Sequence, residues 1–359
     1  MPPLTIAAVG DIMLGDSPQV FGYGVASAVH RHGADHLFDA VRDRLRRADL
    51  AVANLEVALA TVPSGSRFSE RLYRGDPSSA AALKRAGIGV VTVCTNHTMQ
   101  HGDSAFDEFV TCLQQAEILV AGADRPALSL HRIVECERQN ARIAILSYNF
   151  RPVQYSAAEP AWPSPDEQLL QSDIAQIRTR ADVVVVTLHW GDEFICYPSP
   201  WQVRTARLLV DSGADIVIGH HPHIVQGVEQ YRGGVIAYSL GNFVFDQWQD
   251  RLRRSMILHL QVNGPGEVTY HIEPVMIDGG YRPVPCTGRA LDEEIAHHRR
   301  LAELIGKQDE AEYQADLAKR YTEFRREIVW HYLTKSWKFR PSDLLSNVGE
   351  MIRRRVQTT

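Results

Sequence analysis

An apolar strand that stops at a glycine followed by three histidines within four positions occupies residues 214–223 (ADIVIGHHPH), and it narrows what the chain can be more than any other stretch. Asp215 to Ile218 reads as a strand buried on both faces, because β-branched residues follow one another without polar alternation. Gly219 then marks the carboxyl end of the strand, where open α/β sheets place their ligands. Three imidazoles so close together are costly to bury without partners. The His-Pro-His turn aims His221 and His223 at a common point, with His220 as the alternative to His221 for the inward position. Metal binding or proton transfer is the chemistry this segment points to.

The rest of the chain repeats the pattern. Leu4 to Val9 is a strand ending at Gly10-Asp11, Leu50 to Ala53 one ending at Asn54-Leu55-Glu56, and Ile88 to Cys94 one ending at Thr95-Asn96-His97. Asp182 to Leu188 is the most strand-like run, and it ends at His189-Trp190-Gly191-Asp192. Between them lie helical patterns at 35–48, 80–86, 169–177 and 201–212, so the alternation requires right-handed parallel crossovers. Five strand ends therefore deliver acids, amides and imidazoles to one end of a sheet. Met256 to Val262 and Val268 to Val275 read as a closing antiparallel pair. Beyond about Leu291 the composition turns to charged helix, and residues 1–280 and 281–359 are expected to form a catalytic domain and a helical extension. Ile328, Val329, Tyr332, Leu333 and Ser336 recur at docking-helix spacing, with Trp330 and Tyr332 expected to pack in the core and a substrate lid as the alternative.

Composition excludes other classes. A net charge of −5 with 45% hydrophobic and 23% charged residues gives neither a disordered chain nor a basic nucleic-acid binder. No window supplies the ~20 apolar residues of a membrane span, and the first residues lack the basic start of a signal peptide. Five cysteines without CxxC spacing suit a reducing compartment. A cytoplasmic protein with no membrane anchor and no nucleic-acid partner is expected.

The motifs GDIML at Gly10, NLE at Asn54, TNH at Thr95, HWGDE at His189, GHHPH at Gly219 and SLGNFVFD at Ser239 together resemble the CapA-type poly-γ-glutamate synthesis proteins. That family is a branch of the calcineurin-like metallophosphatase fold, and the likeness covers about residues 4 to 276. It implies an α/β fold, a four-layer αββα sandwich with a two-metal centre between the sheets. Carried over, Asp11 and His223 would hold one divalent ion (Mn, Fe or Zn), Asn96, His189 and His221 the other, and Glu56 would bridge them. His97 would be the proton donor. Asn54, Asn96, Trp190 and Asn242 in the same motifs are the expected substrate contacts.

Two departures bear on activity. Phosphoesterases of this fold open with Asp-x-His, and Met13 stands where that histidine would be; a thioether is a poor ligand for hard cations. The acid usual after the Asn-His pair is replaced by Gln100-His101. The resemblance reaches soluble relatives that epimerise a residue of a lasso-peptide precursor without metal, which needs an acid and a base on opposite faces of one α-carbon. The leading expectation is such a cofactor-free peptide epimerase, with Asp11 and His97 as the acid/base pair and Glu56 and His189 beside them. The alternatives are a dinuclear metal-dependent phosphoesterase or amide hydrolase, and a non-catalytic accessory protein of poly-γ-glutamate or capsule synthesis.

Overall fold

The computed structural model describes residues 3–154 and 160–357, with side chains through 349. Four parallel strands of one sheet come first, β1 (Leu4–Ile12), β2 (Leu50–Leu55), β3 (Ile88–Thr92) and β4 (Leu119–Ala121), with Ala58–Leu59 and Arg74–Gly75 paired apart from them. Six more follow: β5 (Ile133–Arg138), β6 (Ala141–Asn149), β7 (Val183–His189), β8 (Ile216–His220), β9 (Val228–Tyr231) and β10 (Gly234–Ala237). They form a separate sheet in the order β9-β10-β8-β7-β6-β5. The chain then returns to the first sheet with β11 (Asn242–Val244), β12 (Arg254–Gly264), β13 (Glu267–Ile277) and β14 (Pro283–Pro285). The first sheet runs β14-β13-β12-β1-β2-β3-β4, with β11 parallel to the end of β1. Its edge extends past Val275 because Pro283–Pro285 adds a short strand there.

Side-chain alternation divides the core into layers. Ile6, Ala8, Val52 and Val90 of the first sheet meet Ile143, Ile145, Val185, Ile216 and Ile218 of the second in one buried cluster. Their neighbours Ala7, Val9, Ala53 and Val91 face the other way, onto Leu83, Phe106, Phe109 and Leu113 of the helices Ser79–Ala86 and Asp103–Gln115. Ala144, Leu146, Val184, Val186 and Val217 likewise face Ile174 and Leu209 of the helices Glu167–Arg178 and Pro200–Asp211. Strands covered on both faces read as unbroken apolar runs for this reason. The result is the αββα sandwich.

Two glycines expected to end strands lie inside them. β1 continues to Ile12 and β8 to His220. A Cβ on Gly10 would lie 2.0 Å from the Gly241 carbonyl oxygen, and one on Gly219 would lie 1.9 Å from that of Tyr238. These glycines admit a neighbouring backbone, not a turn. The helix expected over 35–48 is split into a 3-10 turn (Ala34–Phe38) and a helix (Arg42–Arg47), with Val41 at φ −121° between them.

Three helices, Gly288–Glu303, Glu310–Lys335 and Pro341–Gln357, close the chain. Leu301 enters the inter-sheet core. Along Glu310–Lys335 the docking face carries Tyr313, Phe324 and His331: Phe324 stacks on Phe194 (centroids 4.2 Å) and His331 on Trp248 (4.1 Å). The face expected to dock does so only in part: Val329 and Leu333 point outward, while Ile328 is half-buried. Trp330 is 68% exposed and Leu333 71%, so Trp330 is not a core residue, while Tyr332 is half-buried and its hydroxyl accepts from Asn347 Nδ2 (2.9 Å). Among the described residues no helix is long and apolar enough to cross a membrane, and the five cysteines are free.

Candidate metal centre

Strand register assembles the site. Asp11 on β1 is aligned with Asn54 on β2 and with Asn242 on β11, and His189 on β7 with His220 on β8. The first sheet thus contributes Asp11, Glu56, Asn96 and His97 at its carboxyl ends. The second contributes His189 and the segment His220 to His223. All of these side chains are buried.

Asp11 is held from several sides. Its Oδ1 accepts from Asn54 Nδ2 (2.8 Å) and lies 3.1 Å from His220 Nδ1; its Oδ2 accepts from the His221 amide (3.2 Å) and lies 3.3 Å from His223 Nδ1. Burial alone would raise its carboxyl, yet the bonds and charges of His220 and His223 outweigh that and hold it well below the usual range. Asn242 Nδ2 donates to the carbonyls of His223 and Leu252, which turns its Oδ1 toward His223 Nδ1 (3.0 Å). That bond leaves His223 Nε2 facing Glu56 Oε1 at 3.7 Å. The His223 imidazole, disfavoured as a cation by burial, is nonetheless raised to about 10 by the carboxylates of Glu56 and Asp11.

The histidine-rich turn separates its three rings by role. His220 is still in the strand and is tied to Asp11. His221 (φ 93°) and His223 (φ 58°) both adopt left-handed backbone, a costly conformation for side chains of this size. His221 lies against His189 (centroids 4.8 Å), and neither of its ring nitrogens has a hydrogen-bond partner among the described residues. Burial drives the basicity of both His189 and His221 well below the usual imidazole range, which favours the neutral form that binds metals.

Glu56 lies between the two sheets' contributions. Its residue is 0% exposed, neither carboxylate oxygen has a hydrogen-bond donor among the described residues, and burial raises its carboxyl well above the ordinary value. Around its Oε1 stand His189 Nε2 at 3.6 Å, His223 Nε2 at 3.7 Å and His97 Nε2 at 4.0 Å. A buried carboxyl group with no hydrogen-bond donor among the described residues, set among buried imidazoles, is expensive unless a cation joins them. Single ligand atoms of Asp11, Glu56 and His223 come within 4.8 Å of one another, as do those of Glu56, His189 and His221. Both groups share Glu56. Asn96 Oδ1 adds an oxygen donor 2.8 Å from His189 Nε2. Mixed imidazole and carboxylate donors suit divalent first-row cations, and the residues fit them.

His97 flanks this cluster. Gln100 Nε2 donates to the Leu72 carbonyl (2.9 Å), so Gln100 Oε1 accepts from His97 Nδ1 (2.7 Å) and presents Nε2 to the site. The residue that replaces the usual acid therefore holds His97 by its Nδ1–H. His101, pushed down to about 4 by burial, is turned to the Leu72 carbonyl instead.

Three expected substrate contacts have other duties. Asn54 spends its amide on Asp11 and on the Thr92 hydroxyl (3.1 Å). Asn242 spends its own on His223 and Leu252. Trp190 is fully buried in the outer helical layer, its Nε1 donating to the Tyr238 carbonyl (3.1 Å). Met13 packs into the opposite outer layer. The sequence reading overlooked Glu193, which lies within ligand distance of His221 and His223; its signal was the same as that of Glu56, an acid shortly after a strand end.

Comparison with known proteins bears on the same residues. The profile described as "Bacterial capsule synthesis protein PGA_cap" matches residues 5–247, which span every residue of the cluster. The capsule biosynthesis protein CapA of Bacillus anthracis is 32% identical over 306 residues, covering 82% of this chain and 72% of that one. The PGA biosynthesis protein CapA of Bacillus subtilis (strain 168) is 30% identical over 298 residues, covering 81% and 76%. A phosphatase structure from Mycoplasma pneumoniae superimposes with a TM-score of 0.50 at 13% identity, over 78% of this chain and 96% of that one, a likeness of fold alone. With two thirds of its length matched, its motifs in place and its sheets arranged around them, the chain belongs to the PGA_cap family of bacterial capsule synthesis proteins.

Proposed function

We propose that the chain is a metal-dependent hydrolase of phosphoester or amide bonds that serves synthesis of a capsular polymer such as poly-γ-glutamate. The observation that carries the reading is the buried Glu56 carboxylate, without a hydrogen-bond donor among the described residues, facing imidazole nitrogens of His189 and His223 and shared by two groups of potential ligands. Asp11, Glu56 and His223 would hold one divalent cation, and Glu56, Asn96, His189 and His221 a second. When bound, such a pair supplies Lewis acidity to a phosphoryl or acyl oxygen and acidifies water. The protein does the rest. Asn54 and His220 fix the Asp11 carboxylate, Asn242 orients His223, and Gln100 accepts from His97 Nδ1–H, so that in the imidazolium form the Nε2 proton can pass to the leaving group, leaving the neutral Nδ1–H ring.

The accessory role is the second reading, favoured by the relatives' names, which give a place in polymer synthesis but no reaction. Epimerisation of a peptide gains no support from the geometry or from the relatives. The deciding experiment measures metal content by elemental analysis and hydrolysis of a chromogenic phosphodiester and of a γ-glutamyl anilide, before and after chelation, in the native chain and in Asp11→Asn. A hydrolase loses metal and turnover together in the variant. A chain that carries about two equivalents of metal yet hydrolyses neither probe would favour the accessory role.

A further inference from the structure

The loop after β7 contains two adjacent acids with opposite fates. Trp190 turns into the outer layer, and Gly191 takes a φ of 75° at a place where a Cβ would strike the Gln202 side chain at 2.5 Å. Asp192 then points away from the cluster: its Oδ1 lies 3.4 Å from Arg151 Nη1, and its Oδ2 accepts from the Tyr313 hydroxyl at 3.1 Å. Phe194, also left-handed at φ 70°, donates its amide to the Pro222 carbonyl (2.8 Å), which ties the loop to the His-Pro-His turn. Glu193 is thereby directed inward. One of its carboxylate oxygens and one ring nitrogen each of His221 and His223 lie within 4.8 Å of one another.

We propose that Glu193 is a metal ligand of this centre, the donor that replaces the nitrogen lost at Met13. The inference rests on the two-cation reading above and deepens it. Without Glu193 the first cation has Asp11, Glu56 and His223, only the three protein ligands of a catalytic zinc site that fills its fourth position with water, whereas oxygen-preferring cations such as manganese take about six donors. Met13 cannot help, because its thioether lies in the outer core. Since Glu193 reaches both His221 and His223, it stands between the two ligand groups on a path that does not pass through Glu56. The exchange is not neutral chemically. A hard anionic oxygen takes the place of a neutral imidazole nitrogen, so the centre gains negative charge and shifts its preference from zinc toward manganese.

The test titrates the metal-free full-length chain with Mn(II) and separately with Zn(II), following free Mn(II) by its EPR signal and bound metal by elemental analysis. The variants are Glu193→Gln, Glu193→His and, as the outward-facing control, Asp192→Asn. The native chain and Asp192→Asn are expected to bind two Mn(II), and Glu193→Gln to bind one of the two at least tenfold more weakly, the scale of losing a metal-supporting side chain. Glu193→His is expected to bind Zn(II) in preference to Mn(II), which keeps the proposal open to test if the glutamine variant does not fold. Unchanged affinities for both metals in the glutamine or histidine variant overturn the proposal while leaving two-metal binding intact. A native chain that binds neither metal overturns both.

Discussion

At the scale of single residues, the functional division lies between side chains left bare and side chains fully engaged. His97 presents Nε2 only because Gln100 occupies Nδ1, so His97→Asn is expected to lower kcat by about 10²–10⁴ with metal content unchanged. Gln100→Leu should lower kcat less, about tenfold or more, and a drop in bound metal in either variant would show that these residues serve the cations and not the proton. A second prediction concerns Asp246, raised to about 7 by burial, with the facing charge of Asp16 adding to it. Above about pH 4 the unfolded chain releases this proton while the native chain keeps it. Stability from this group therefore falls as pH rises from about 4 to about 7. Asp246→Asn should be more stable to unfolding than the native chain at pH 8, by an amount on the order of a few kcal/mol, and the two should converge near pH 4; parallel stability curves across that range would refute the assignment. The sequence showed which strand ends carry ligand-type residues. It did not show which way each points, since the amides of Asn54 and Asn242 read like free ones until their partners are known, and Glu193 cannot be told from Asp192.

At the scale of elements, periodicity recovered the strands well and their limits poorly. Asp215 to Ile218 and Asp182 to Leu188 were legible because burial on both faces leaves an unbroken apolar run. The ends at Gly10 and Gly219 were misread because a glycine that admits another backbone looks in sequence like one that makes a turn. The Glu310–Lys335 helix was misread by face for a different reason. Its outward side carries Val329, Trp330 and Leu333, while the docked side is built from Phe324, Glu327 and His331, and Glu327 spends its charge on Arg251 (2.6 Å) and Gln249 (3.1 Å). Phe324→Ala should then cost about 2–3 kcal/mol through the lost contact with Phe194, and Trp330→Ala no more than ~0.5 kcal/mol. Urea midpoints of the two variants decide this, and the opposite ranking would mean that the helix docks by its other side.

At the scale of the whole molecule, the layered architecture was accessible from the alternation of strands and helices together with the family motifs, whereas the second sheet's separateness rested on the resemblance alone. Each sheet supplies about half of the proposed ligands, so a cation bound among them would join the sheets and favour the native state by mass action. Free Mn(II) at about 100 times its Kd should stabilise the chain by about 2.7 kcal/mol per site, visible as a rise in Tm that chelation reverses and that Asp11→Asn reduces. The same division fixes when the centre can exist. Asp11 and Glu56 come early in the chain, but His189, His221 and His223 follow more than 100 positions later, and they reach Asp11 only after β7 and β8 have paired. Such long-range closure is slow and comes late in folding. During synthesis, a ribosome-bound chain that has emerged only through β4 already displays Asp11, Glu56 and Asn96, yet this half of the cluster has no imidazole from the second sheet to complete it, and on the metal-dependent reading proposed above a cation would have to wait for the chain to pass His223.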